Sequence, residues 1–442
     1  MHTGKRRPTP WRRAIAWYDR HRGPGMVVAG WLVTRLVMLG VLVLFERFVV
    51  GDVFYYHGKL AQLFDVGLAG TLNEYPTPVV WILWLPYAVT GGSATGYLVA
   101  FMVFMALLDA GFTYALYRTG GRSGGRRHDV AIDFWLLFVL LIGPLCYLRF
   151  DMLPAVLAGG ALLAARRRPW VTGALTGLGA AVKLWPALLI AAFCAHRPDR
   201  KVAGWAFVIV GFGLAGISLL LGGWTRLLSP LTWQSGRGLQ IESIWATPLM
   251  VARAWSPSDW RVDYSRFQAY EIFGPGVSTW LLISNVATVA GLVVLIALWV
   301  RAYRARDPSP VAVGLIVLAT VAIMTVTNKT LSPQYLLWLG GPMAALLLLR
   351  HSASAPERVA VRRLTVHLLL LALLTQLVYP LFYDGLLGFR GSGPVVLATA
   401  VTALRNLALA LFTVEVCRLA WIFAAGAAPR YQYPTGTKSS LA

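Results

Sequence analysis

Apolar runs separated by short polar tracts make up most of the chain. The runs at 26–48, 97–117, 203–222, 277–300 and 395–424 each approach or exceed the ~20 residues that carry a helix across a bilayer. Shorter apolar runs lie at 130–148, 152–165, 311–327, 335–349 and 364–383. Counted at ~20 residues each, the pattern predicts about ten full spans. Two partial elements join them. The segment 79–91 is short and carries Pro86, so it is expected to dip in or lie at the interface. The stretch 171–195 is flanked by basic residues on both sides and interrupted by Lys183 and Pro186, which predicts a broken hairpin with Lys183 near its tip. Residues 53–75 alternate apolar and polar at helical spacing, the pattern of a helix lying in the membrane surface.

Composition agrees with this pattern. Of 442 residues, 57% are hydrophobic, whereas soluble domains hold about 45–50%. Alternating ten-residue segments of a β-barrel are absent. The expected fold class is therefore an all-α polytopic membrane protein, a transmembrane helical bundle with interfacial and broken helices. The formal charge of +22 does not point to nucleic acid, because Lys and Arg cluster in short tracts between apolar runs, where they set orientation. Arg118, Arg122, Arg126 and Arg127 form one such tract, and Arg166, Arg167 and Arg168 another. On this rule residues 1–25 form a cytoplasmic basic segment, 26–424 a single membrane domain and 425–442 a cytoplasmic tail. The outer loops that matter are 49–78 and 223–276. Cys146, Cys194 and Cys417 lie in or beside apolar segments and read as small hydrophobes.

The same orientation gathers the unusual polar residues on the outer side: Asp52, Glu74, Arg149, Asp151, Lys183, Gln240, Glu242, Asn328, Lys329 and Gln334. Ionisable groups at membrane depth are costly, and they are usually functional or paired. Asp52 or Glu74 is suited to take a proton from a hydroxyl. Arg149, Lys183 and Lys329 are suited to a phosphate, Arg as a planar fork and Lys as a point charge. Tyr55, Tyr56, Tyr75, Trp81 and Trp245 offer faces for a sugar ring, with His57 beside them. No Gly-rich nucleotide loop occurs, which fits a lipid-phosphate donor lying in the bilayer. Each residue also has a plain structural role open to it. Asp52 is placed to cap a helix starting at Val53, Arg149 and Asp151 to pair with each other, and Lys183 to snorkel. Asp109, Asp133 and Arg405 are expected to pair inside the bundle.

Five stretches, in this order, resemble the GT-C superfamily and, within it, glycosyltransferase family 87, the polyprenol-phosphate-mannose-dependent α-mannosyltransferases. They are Gly51-Asp52, Asn73-Glu74-Tyr75-Pro76-Thr77-Pro78, Arg149-Phe150-Asp151-Met152-Leu153-Pro154, the run from Gly177 to Pro186 around Lys183, and Asn328-Lys329-Thr330-Leu331-Ser332-Pro333-Gln334-Tyr335. The resemblance implies a multi-pass enzyme of the bacterial plasma membrane, N-terminus inside and site facing outside. It implies inverting transfer of a sugar, typically mannose, from a polyprenyl-phosphate donor to a glycolipid or cell-envelope glycan acceptor. Asp52 takes the role of base, and Lys183, Lys329 and Arg149 the donor phosphate. Glu74, Tyr75, Tyr56, His57, Asp151, Gln240, Glu242, Asn328 and Gln334 are left as the substrate-binding set. Val53 stands where the superfamily often has a second acid, so neither metal nor cofactor is expected. Membrane lipid is an expected partner and nucleic acid is not. Transfer of another lipid-linked sugar such as arabinofuranose, a lipid transporter or flippase without bond chemistry, and a non-catalytic scaffold remain the rival readings.

Overall fold

The computed structural model describes residues 23–121, 129–195, 198–305, 308–349, 353–388 and 395–425. The predicted N-terminal basic segment up to residue 22, Arg122, Arg126, Arg127 and the tail from 426 lie outside the described residues.

The chain begins with α1 (Pro24–Phe45), whose Pro at the first position is pre-set for helix. A 3₁₀ turn (Arg47–Val50) leads into α2 (Gly51–Ala61) and α3 (Leu63–Gly70), which breaks at Gly67 with φ 68°. Then follow α4 (Thr77–Val89), α5 (Ala94–Gly121) and α6 (Asp129–Ile142). A helical turn, Leu145–Leu148, precedes α7 (Met152–Ala164) and α8 (Pro169–Val182). The 37-residue α9 (Arg200–Gly236) bends at Gly223, and α10 (Thr247–Trp255) comes after it. Strands β1 (Arg261–Ser265) and β2 (Ala269–Phe273) form an antiparallel hairpin, with Arg261 opposite Phe273 and Ser265 opposite Ala269. The chain finishes with α11 (Val277–Arg304), α12 (Pro310–Val326), α13 (Leu337–Leu349), α14 (Ala355–Gln376) and α15 (Val395–Phe423).

By length and composition, six of these helices suffice to cross a membrane: α1, α5, α9, α11, α14 and α15. The 22 residues of α1 reach ~33 Å at 1.5 Å each. Their outer faces stay apolar and uncovered, as at Leu36, Phe212, Leu220, Leu282 and Leu407. Such faces need lipid rather than water around them. Five shorter apolar helices supply the rest, so of the expected ten or so full spans only six are helices of full length among the described residues. Helices α12 and α13 are buried on almost every side and pack on each other, α13 also against α7 and α12 also against α15. Their 17 and 13 residues would cover only ~20–26 Å, so their ends depend on surrounding protein to shield the backbone. The predicted run 130–148 is likewise divided, because Gly143 (φ 81°) and Pro144 end α6 early.

Polar locks fix the first helices. Arg35 of α1 donates to both carboxylate oxygens of Asp109 on α5 at 2.9 Å. The indoles of Trp31 and Trp135 and the Tyr147 hydroxyl donate to the same carboxylate. This is the structural pairing expected of Asp109. Arg405 does as expected too, donating to the Glu242 carbonyl at 3.0 Å.

Residues 223–276 are not the open loop that their Trp, Ser and Pro content predicts. Helix α9 continues past its kink to Gly236, and α10 and the hairpin occupy much of the remainder. The apolar periodicity after Gly223 is that of an amphipathic helix, in which Arg226 and Pro230 turn inward.

The break expected in 171–195 falls at Lys183, which leaves α8 in extended backbone (φ −145°, ψ 139°). A 3₁₀ turn, Trp185–Leu188, then carries the chain back on itself. A Cβ on Gly179 would stand 3.0 Å from that of Pro186, so the fold-back needs a side-chain-free position. The seam between α8 and α9 is tighter. A Cβ on Gly173 would lie 2.0 Å from the Ala203 carbonyl oxygen, and one on Gly177 2.9 Å from the Gly211 nitrogen. Gly173 and Gly177 are four apart and form the small-residue face that lets two membrane helices touch backbones. Gly173→Ala is therefore expected to lower stability by about 1–3 kcal/mol through overpacking. Gly213→Ala, with open space around it, should be neutral. Thermal unfolding in detergent followed by tryptophan fluorescence checks this, and equal midpoints for the two variants would refute the seam.

Candidate active site

Helix α2 presents Asp52, Tyr55 and Tyr56 on one face, since positions i, i+3 and i+4 share a side. Val53, Tyr56 and Leu60 are buried in the bundle and fix its rotation, with Tyr56 standing where the buried and cavity-facing sides meet. These side chains border a cavity of about 300 Å³. The turn before α4 adds Glu74, Tyr75 and Pro76, and the break after α8 adds Lys183 and Trp185. The end of α9 contributes Trp233 and Arg237, and the hairpin tip Phe267 and Gln268. Asn328, Ser332, Gln334, Tyr335 and Trp338 close the remaining side from the turn after α12 and the start of α13.

Asp52 does not cap α2. The helix begins at Gly51, and no side chain caps it. Its carboxylate instead forms an ion pair with the Arg149 guanidinium, with Nε 2.7 Å from Oδ2. Arg149 and Asp151, expected as a local pair, face different partners. Arg149 is in extended backbone, whereas Asp151 sits at the N-terminus of α7. Asp151 pairs with Lys183 and accepts from the Trp338 indole at 2.8 Å. The Asp52 side chain keeps 35% exposure and Asp151 only 2%, so Asp52 is the acid a substrate can reach. Burial raises its pKa above the usual carboxylate range, Arg149 pulls it back, and nearby Asp151 adds to the rise.

Lys183 sits in an aromatic cage. Its ammonium lies 4.6 Å from the Trp338 ring, 4.8 Å from Phe150 and 5.2 Å from Tyr335, distances at which cation–π attraction acts. Glu74 accepts from the Tyr55 hydroxyl at 2.9 Å, and burial raises its pKa as well. Tyr56 and Tyr75 have hydroxyls 3.4 Å apart. Arg226 holds the turn that bears Glu74 and Tyr75 by donating to the Tyr75 carbonyl at 3.0 Å and the Leu72 carbonyl at 3.4 Å.

Of the residues singled out from sequence, Asp52, Tyr56, Glu74, Tyr75, Lys183, Asn328 and Gln334 line this cavity, and Arg149 and Asp151 stand behind it on Asp52 and Lys183. His57, Gln240, Glu242 and Lys329 do not line it. His57 Nε2 lies 2.7 Å from the Gly92 carbonyl, and its ring packs on Tyr87 and Tyr97. Gln240 donates to the Ser332 hydroxyl at 3.2 Å. Glu242 is buried 3.7 Å from Arg405, and burial pushes its carboxyl up to about 7 against the pull of that arginine. Lys329 turns outward and donates to the Ser235 carbonyl at 2.9 Å. The cage residues Tyr335 and Trp338, and the cavity residues Trp185 and Arg237, went unassigned in the sequence. Arg237 carries one usable signal, a cation between two glycines and outside every basic tract.

A second, apolar pocket of about 220 Å³ adjoins the first and shares Pro76 and Leu184 with it. Ala180 and Ala181 of α8 and Phe207, Phe212 and Leu227 of α9 line it.

Comparison with known proteins adds to this geometry. No curated protein matches the chain. A profile of the RNF186 helical domain matches residues 351–404, a stretch that contributes nothing to the cavity wall. The profile of glycosyltransferase family 87 matches residues 75–327. That segment starts one residue after Glu74 and leaves Asp52 outside it, holds Arg149, Asp151, Lys183 and Arg237, and ends one residue before Asn328. Since the match takes in more than half of the sequence, this polytopic helical membrane protein belongs to glycosyltransferase family 87.

Proposed function

We propose that the protein transfers a sugar, with mannose the first choice, from a polyprenyl-phosphate donor to a hydroxyl of a glycolipid or cell-envelope glycan. The site is taken to face the outside of a bacterial plasma membrane. The observation that carries this reading is Asp52, an accessible carboxylate tied to a guanidinium and bordering a tyrosine-rich cavity with Lys183 on its wall. The adjoining apolar pocket supports a donor whose tail stays in the bilayer, because α8 and α9 line it where they meet.

In the reaction, the acceptor oxygen attacks the anomeric carbon while the bond from that carbon to the phosphate oxygen breaks. The electron pair leaves with polyprenyl phosphate, and Asp52 takes the hydroxyl proton. One in-line displacement inverts the anomeric centre, and the cavity supplies the alignment. Tyr55, Tyr56, Tyr75 and the Trp338 face are suited to a sugar ring. Asp151 holds Lys183 toward the cavity, and the aromatic cage surrounds that ammonium.

The direct test is to incubate the purified protein with a panel of polyprenyl-phosphate sugars and candidate acceptors and to measure released polyprenyl phosphate. Mannose should give the fastest release, and no release from any member of the panel would refute the donor assignment. Asp52→Asn should lower kcat by about 10²–10⁴, the usual worth of a positioned base, in a protein that still folds, with an unfolding temperature lowered by the loss of the Arg149 pair. Wild-type turnover in that variant would remove Asp52 from the mechanism.

Arg149 generates a separate expectation about pH. A base works only when deprotonated, so kcat/KM falls as pH drops through the base's pKa. Arg149 lowers the pKa of Asp52. Its replacement in Arg149→Gln should therefore move the acid limb of the profile toward higher pH. An acid limb in the wild-type position would show that the pair does not tune the base.

A further inference from the structure

The cations of the cavity differ in what already holds them. Arg149 is paired with Asp52 and Lys183 with Asp151. Lys329 is turned away onto a carbonyl. Arg237 lines the cavity, yet no acid, carbonyl or ring among the described residues engages its guanidinium. Its Nε is buried and without a hydrogen-bond partner. A buried donor left without an acceptor is costly, and an arriving anion offsets that cost.

The backbone around Arg237 is held firmly. Gly238 donates to the Glu271 carboxylate at 3.0 Å, Gln240 to the Lys329 carbonyl at 3.2 Å and Ile241 to the Tyr270 carbonyl at 3.1 Å. A Cβ at Gly238 would stand 2.7 Å from Glu271 Oε2, so the glycine lets the segment seat against β2. The side chain is thereby directed from a segment of backbone pinned at Gly238, Gln240 and Ile241.

We infer that Arg237 is the anchor for the donor phosphate, filling with substrate charge the partner position that the protein leaves empty. This rests on the polyprenyl-phosphate reading above and refines it. The cations expected from sequence to hold the phosphate are neutralised or turned away, and the free one comes from the end of α9. A guanidinium grips two phosphate oxygens at once. Its hold strengthens as the carbon–oxygen bond breaks and the phosphate gains charge. Arg237 thus belongs to the groups that touch the leaving phosphate, whereas Asp151 acts only through Lys183.

Binding of polyprenyl phosphate, the leaving product, tests this without any need for turnover. Full-length protein in nanodiscs is titrated with polyprenyl phosphate, and native mass spectrometry reads occupancy for wild type, Arg237→Gln and Arg237→Lys. Loss of a charge-assisted contact should weaken binding about ten- to a hundredfold in Arg237→Gln. Arg237→Lys should recover part of it, since a point charge replaces the fork. The donor KM should rise in the same order. Equal affinity in all three proteins would overturn the role of Arg237 and leave the donor reading standing. No binding by wild type would overturn both. If Arg237→Gln does not fold, Arg237→Lys decides: wild-type affinity and wild-type KM in that variant refute the forked contact.

Discussion

Two residues apart in the chain, Arg149 and Asp151 reach to opposite partners, and the site depends on that divergence. Arg149 secures Asp52 on α2, while Asp151 secures Lys183 at the break after α8. Phe150 between them touches Lys183 and meets Tyr75 edge-on with ring centres 4.7 Å apart. One short stretch thereby couples the surface helix, the turn before α4 and the broken helix. Removing either member of a desolvated pair strands the other charge at about 3–5 kcal/mol. The geometry of the carboxylate and the ammonium is therefore set by the same piece of backbone.

The site forms where helices stop. Asp52 follows the end of α1, Lys183 the end of α8, Arg237 the end of α9 and Asn328 the end of α12. A helix interior satisfies its own backbone and projects side chains radially, so it cannot converge many polar groups on one point. Chain ends and breaks can, but at membrane depth they need cover. The buried trio of α7, α12 and α13 provides it from within, and the long outer helices meet the lipid.

Much of this was legible in the chain. Apolar runs and basic tracts give the membrane class because lipid leaves few alternatives to helices. The period of residues 53–75 gives α2, and Lys183 with Pro186 gives the break. Which acid meets which cation was not legible, since it depends on the backbone turning between Arg149 and Asp151. The helical character of 223–236 was obscured by its tryptophans, serines and prolines, which read as a loop until Arg226 and Pro230 find buried positions. The cage around Lys183 was invisible because Phe150 is far in sequence from Tyr335 and Trp338, and the three meet the ammonium only in the folded chain. Lys329 and Gln240 looked like site residues because their neighbours are. Each in fact helps to tie loops together, Lys329 by its ammonium and its carbonyl and Gln240 by its amide.

The backbone hydrogen bond from Gln240 to Lys329 also bears on the order of synthesis. Residues 237–241 are held on one side by β2 and on the other by the turn after α12. The ribosome makes that turn some ninety residues later. Until then the end of α9 has no neighbour against which to settle, even with its membrane leg already inserted. The cavity is completed late, when α12 and its following turn emerge. A chain halted before that point would carry most of the bilayer-crossing helices and still lack the wall that points Arg237 inward.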